Sequence, residues 1–271
     1  MNEPVYNSYS LNSVAAALME ALGVEKPHEA APANKAMKAL LQNNGIDKVD
    51  RVVMYNPDAV ALWLYQKYTE YYLPVQKHTA LTLPLQVVMP SVTPVCFGTM
   101  YTGAMPEVHG IQSYTKPVIK TDSVFDALIR AGKKPVILAT SEGCSMSKIY
   151  LEREMDYFFY PTIEEVNAKA LELIEADEYD FIAIYNGNYD SNMHRHAPEG
   201  AESLAALRAN CAVFDQIGET IKRCWKNHKT LLGFAPDHGC HEIDGELGSH
   251  GLDMPEDLNI VHLYKCYPRS K

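Results

Sequence analysis

Three stretches of the 271-residue chain gather side chains that can hold a metal ion or attack an electrophilic centre. In NGNYDSNMHRHAP, Asp190 and His194 stand four residues apart and His196 follows. A carboxylate and an imidazole at that spacing can reach one ion from a single turn of chain, and a polar loop with solvated histidines is the plain alternative. The second stretch, PDHGCHEIDGELGSHG, opens on adjacent Asp237 and His238 and closes on His250. A carboxylate and an imidazole at the end of a buried strand are costly to desolvate unless positive charge lies between them. Gly239, Gly248 and Gly251 allow the tight backbone that a ligand cluster needs. His241, Glu242, Asp244 and Glu246 read as a solvated loop. The third stretch, MPSVTPVCFGTMYTGAMPEVHG, brings Ser91 and Thr93 to a bend before Pro94. A hydroxyl there is either a nucleophile or the N-cap of the helix that follows, and a helix start fronted by a hydroxyl is also an anion site.

Each stretch follows an apolar run suited to a buried strand. Such runs occur at 51–55, 85–89, 135–139, 181–185, 230–235 and 260–264. Helical spacing marks 57–72, 123–131, 162–176 and 202–224, with Asp122 and Pro161 as starting signals. Alternation of strand and helix predicts an α/β fold with a mostly parallel central sheet and helices on both faces. In such sheets ligands bind beyond the carboxyl ends of the strands, where all three stretches fall. Residues 11–44 form a separate helical section broken by HEAAPAN. The predicted organisation is therefore an N-terminal helical cap or lid over 1–48 and a single α/β domain over 49–271. The amphipathic N-terminal helices suit a homo-oligomer interface as readily as a lid.

Pooled, the strand ends supply two Asp, three His and one hydroxyl, the inventory of a two-metal phosphoryl-transfer site. Two divalent ions ~4 Å apart can stabilise both the attacking and the leaving oxygen of an in-line displacement. Carboxylate and imidazole ligands suit Zn²⁺, with Mn²⁺ or mixed occupancy as alternatives.

Composition narrows the partners. The chain is 47% hydrophobic and 21% charged, as in ordinary globular proteins, and its formal net charge is −10. That balance repels a nucleic acid polymer, whereas a small phosphorylated metabolite remains admissible where bound metal reverses the local field. No run approaches the roughly 18 apolar residues of a membrane span. The N-terminal segment has no basic residue before Lys26, which together with six cysteines lacking any CxxC pair points to a cytoplasmic protein with free thiols.

The motifs together resemble the nucleotide pyrophosphatase/phosphodiesterase branch of the alkaline phosphatase superfamily. PSVTPVCFGTMYTGAMPEVHGI is similar to its nucleophile segment, DSNMHRHAP to its Asp–His element with Ala197 in place of a Gly, PDHG to its Asp-His-Gly element, and GSHG to its last metal-binding histidine. The resemblance runs from about residue 50 to 265 and implies an alkaline-phosphatase-like fold. It also implies one metal on Asp190, His194 and His250, and a second on Asp237, His238 and Thr93. Thr93 would be the nucleophile of a double displacement through a phosphothreonine, in a hydrolase of phosphodiester or phosphomonoester bonds.

Two departures stand out. In VVMYNPDAVALW, Asn56 falls at the position of the family's first-strand Asp and is the expected ligand, with Asp58 two residues on as the substitute. Cys96 stands where relatives carry an Asn that donates to a phosphoryl oxygen, and a thiol is a poor donor. These departures motivate an alternative, a catalytically impaired protein that binds metal or a phosphorylated ligand. A phosphomutase or phosphonate hydrolase is a further alternative within the superfamily.

Overall fold

A computed structural model describes residues 4–269. Residues 1–3 and 270–271, the outer ends of the two expected segments, lie outside it. Ten strands occur in chain order: β1 (Tyr9–Ser10), β2 (Arg51–Pro57), β3 (Leu81–Gln86), β4 (Pro135–Ala139), β5 (Asp156–Phe159), β6 (Phe181–Asn186), β7 (Thr230–Phe234), β8 (His241–Ile243), β9 (Leu247–Ser249) and β10 (Asn259–Tyr267). Eight of them make the central sheet, in the order β1-β3-β10-β7-β2-β6-β4-β5, while β8 and β9 form a separate hairpin. β10 is antiparallel to both β3 and β7, and every other neighbouring pair in the large sheet is parallel. The chain is thus α/β with a mostly parallel central sheet and helices on both faces.

Residues of β4, β6 and β7 are buried at every position, as near-continuous apolar strands between two helical layers must be. Their side chains divide by the two-residue period of a strand. Val52 and Met54 join one core with Ile137, Ala139, Phe181 and Ala183, and Val53 and Tyr55 join the opposite core with Val136, Leu138, Ile182 and Ile184. Helices Val14–Leu22, Thr93–Thr102 and Val124–Arg130 cover the first face, and Ile163–Ala176 and Ala201–Cys224 cover the second. The N-terminal segment expected as a cap packs as part of the first layer: of Val14–Leu22 only Glu20 is not buried.

Helix starts lie one residue beyond the expected signals. Ser123 with Asp126, and Thr162 with Glu165, form reciprocal capping boxes. The largest departure is at 57–72. In place of one helix there is a turn over Asp58–Val60, then a helix at Leu62–Lys67 and a 3-10 turn at Thr69–Tyr72. Ala59 has a φ of 62°, and Asp58 N–H donates to Asn186 O at 2.9 Å, so the chain leaves β2 tied to the end of β6. The third strand occupies 81–86, short of the expected 85–89, and β5 carried no clear signal.

His262 of β10 supports the same edge. It is wholly buried, its Nε2–H donates to Pro236 O at 2.8 Å, and its Nδ1 accepts from Tyr264 Oη at 2.8 Å. Burial, partly offset by the Pro236 carbonyl, pushes its pKa down to about 4 from 6.5. Folding then excludes a proton that the unfolded chain binds below 6.5, so the stability from neutral His262 is present above 6.5 and is lost as pH falls toward 4. The expected loss is about 1.4 kcal/mol per pH unit in that window. Urea unfolding from pH 7 to 5 should show a steeper decline for the native chain than for His262→Gln, and identical slopes would contradict it.

Candidate metal centre

β7, β2 and β6 are neighbours and run in the same direction, so their carboxyl ends place Asp237, Asp58 and Asp190 at one edge of the sheet. Thr93 arrives from beyond β3 as the first residue of the helix Thr93–Thr102. Its N-cap is Val92, and no side chain caps that helix, so the Thr93 hydroxyl is not spent on helix amides. Instead its Oγ1 lies 3.2 Å from His238 Nε2 and 3.4 Å from Asp58 Oδ2.

Two groups of ligand atoms result. Asp58, Asp237 and His238 form a buried group, with His238 Nε2 at 3.3 Å from Asp58 Oδ1 and 3.4 Å from Asp237 Oδ2. Asp190, His194 and His250 form a more open group. There His194 Nε2 and His250 Nε2 stand 3.2 and 3.5 Å from Asp190 Oδ1 and 3.2 Å from one another, and the His194 side chain is 42% exposed. Asp190 and His194 share one face because the segment is a helix, Asn188–His196, and not the polar loop that its composition also allowed. The imidazoles of His238 and His250 lie 4.1 Å apart between centroids and join the two groups.

All three imidazoles are oriented alike. The Nδ1 atoms of His194, His238 and His250 contact backbone carbonyls of Gly248, Gly239 and Ser91 at 2.9, 2.9 and 3.0 Å. Donation of Nδ1–H to those carbonyls leaves each Nε2 lone pair turned into the cluster, the tautomer that a metal ligand requires. Asp190 Oδ1 and Asp237 Oδ2 are buried without a hydrogen-bond partner, which is costly unless a cation neutralises them. The residues present therefore fit divalent ions.

Electrostatics agree with that donor set. Burial and then the Asp190 charge push the Asp58 pKa up to about 7, and burial together with Asp58 holds Asp237 well above the usual carboxylate range. Burial and the neighbouring His250 push His238 down to about 3. Burial alone would raise Asp190, but the adjacent imidazoles of His194 and His250 bring it below the usual range, and Asp190 in turn raises His194.

Asn56, the expected ligand, faces elsewhere. Its Oδ1 accepts from Tyr101 Oη at 2.7 Å and its Nδ2 donates to Ala235 O at 2.8 Å, both in the core. Asp58 takes the place beside Thr93, because β2 runs on through Asn56 and Pro57 and the chain leaves the sheet only at Asp58. The left-handed backbone at Ala59 makes that turn, and Ala59 N–H donates to Asp237 Oδ1 at 3.2 Å. The readable signal was a carboxylate followed by a small residue in PDAV. Cys96 lies one helical turn from Thr93 and is wholly buried, its thiol pKa raised by burial and by the Asp237 and Asp58 carboxylates. His196 stays outside near Glu202, His241 pairs with Asp257 at 2.8 Å, and Glu242, Asp244 and Glu246 are exposed on the β8–β9 hairpin. Tyr185, at the end of an aliphatic strand, donates its hydroxyl to Asp58 Oδ2, a role that the sequence reading did not assign. A further group of possible ligands, His78, Asp215 and Glu219, is already satisfied by Lys77, Lys222 and Tyr267.

No protein-family model and no curated protein sequence matches the chain. Among solved structures it is similar to murine ectonucleotide pyrophosphatase/phosphodiesterase 5, inactive and in complex with AMP, at 16% identity and a TM-score of 0.57. A second structure of the murine protein gives 18% and 0.54, and the human protein gives 18% and 0.51. Each match covers 72% of this chain, which spans 58% of the neighbour's length. The chain has the fold of the nucleotide pyrophosphatase/phosphodiesterases.

Proposed function

We propose that the protein is a metal-dependent hydrolase of phosphodiester or phosphomonoester bonds in a small metabolite, acting through a phosphothreonine at Thr93. The observation that carries the reading is the meeting of Thr93 Oγ1 with Asp58 and His238, beside a second carboxylate–imidazole group. Three carboxylates, Asp58, Asp190 and Asp237, converge where a phosphate would have to sit, so an anionic substrate requires compensating positive charge. Asp190, His194 and His250 would hold one divalent ion and Asp58, Asp237 and His238 the other, Zn²⁺ or Mn²⁺ by ligand type. Bound ions supply Lewis acidity, which lowers the pKa of a hydroxyl and neutralises phosphoryl oxygens.

The chain's own residues do the rest. Thr93 is fixed at a helix start, so its Oγ1 attacks phosphorus from a defined position as the ester oxygen departs. Water then cleaves the phosphothreonine and restores the hydroxyl. Asp58 and His238 orient Thr93, and the backbone carbonyls of Gly239, Ser91 and Gly248 hold the three imidazoles in register.

The Cys96 thiol favours a second reading, an impaired protein that binds a metal or a phosphorylated ligand without turnover, because it offers no strong donor to a phosphoryl oxygen. Asn56 no longer argues for that reading, since Asp58 restores the carboxylate. Chelator-stripped protein reloaded with Zn²⁺ or Mn²⁺ should take up two ions per chain and cleave bis(4-nitrophenyl) phosphate or 4-nitrophenyl phosphate. Two ions without turnover on either ester would select the second reading, and no uptake would refute the hydrolase.

A further inference from the structure

Two of the buried tyrosines donate to the backbone, Tyr150 to Phe97 O and Tyr189 to Pro198 O. Tyr179 donates to the exposed Asp156 carboxylate, whereas the Tyr185 hydroxyl donates to a buried one, Oδ2 of Asp58 in the ligand group. We propose that Tyr185 is a positioning residue for the buried metal-binding group: it holds Asp58 through Oδ2 so that Oδ1 faces His238. The inference rests on the reading of Asp58, Asp237 and His238 as cation ligands.

Asp58 opens the turn after β2 instead of standing on the strand, so its carboxylate needs an external anchor. Among the described residues no Lys or Arg lies within ion-pair distance of it, and besides Thr93 the Tyr185 hydroxyl is the side-chain group that donates to it. Tyr185 is itself rigid. Only 8% of it is exposed, and its ring meets Phe97 edge-on at 5.8 Å. A Cβ at Gly187 would stand 2.9 Å from its hydroxyl, so the following turn is built to admit the phenol. A donor that pins one carboxylate oxygen selects the other as the ligand atom, in the manner of hydrogen-bonded carboxylates around metal ions generally.

The test uses the full chain, stripped with chelator and titrated with Zn²⁺ against a chromophoric chelator. Tyr185→Phe keeps the ring and removes the hydroxyl. It should weaken one of the two zinc affinities by about 10–100-fold and leave the other unchanged. Phe97→Leu, which disturbs the ring contact but not the hydroxyl, should change neither. Unchanged affinities in Tyr185→Phe, equal loss at both sites, or a matching loss in Phe97→Leu would overturn the proposal while leaving the hydrolase reading intact. A native chain that takes up no zinc would overturn both.

Discussion

Thr93→Ala is expected to lower kcat on a nitrophenyl phosphodiester by on the order of 10⁵-fold, because it removes the attacking atom and not merely a contact to it. The three side chains of the buried group remain in place, so zinc content should stay near that of the native chain. Thr93→Ser, which returns the hydroxyl, should recover most of the rate. Kinetics and metal content measured on the same three preparations separate loss of the nucleophile from loss of the ions. A Thr93→Ala rate within tenfold of native would show that some other oxygen attacks phosphorus.

Asp237→Asn is expected to move stability in opposite directions according to metal. Asp58 and Asp237 are both buried within contact distance of His238, and without a cation two carboxylates there repel one another in a poor solvent for charge. The amide relieves that repulsion and can still accept from Ala59 N–H through its Oδ1. In chelator the variant should therefore melt a few degrees above the native chain, since about 1 kcal/mol moves Tm by roughly 2–4 °C in a protein of this size. In Zn²⁺ at 100 times the native dissociation constant, the native chain gains about 2.7 kcal/mol, and the variant lacks the share from the buried ion. The order of the two melting curves should invert between the buffers, and activity should fall with the lost ion. Curves that keep one order in both buffers would contradict a cation at Asp237.

The features legible in the sequence were those set by local chemistry. Apolar runs such as VVMY, PVILA and FIAIY suit strands between two layers, and Asp190, His194, Asp237, His238 and His250 sit after strands where a ligand can approach. What was not legible depends on backbone path. Helical spacing over 57–72 concealed the turn at Asp58–Val60, because a left-handed alanine has no compositional signature. That turn decides between Asn56 and Asp58. The burial of the N-terminal helix was equally hidden: Val14, Leu18 and Leu22 read as one apolar face, but the alanines between them pack too. Tyr185 escaped notice because an aromatic residue closing an aliphatic strand reads as packing until its hydroxyl is seen to meet a carboxylate.

The order β7-β2-β6 carries a geometric consequence. Adjacent strands stand about 4.8 Å apart, and two ions that share a phosphoryl group stand about 4 Å apart. Asp237, Asp58 and Asp190 each follow one of these three strands, so the pitch of the hydrogen-bond ladder would act as the ruler for the proposed pair of ions. On that reading, mutation of side chains would retune which ion binds or how tightly, but the gauge between the two proposed positions would be inherited from the backbone and would shift only if a strand did.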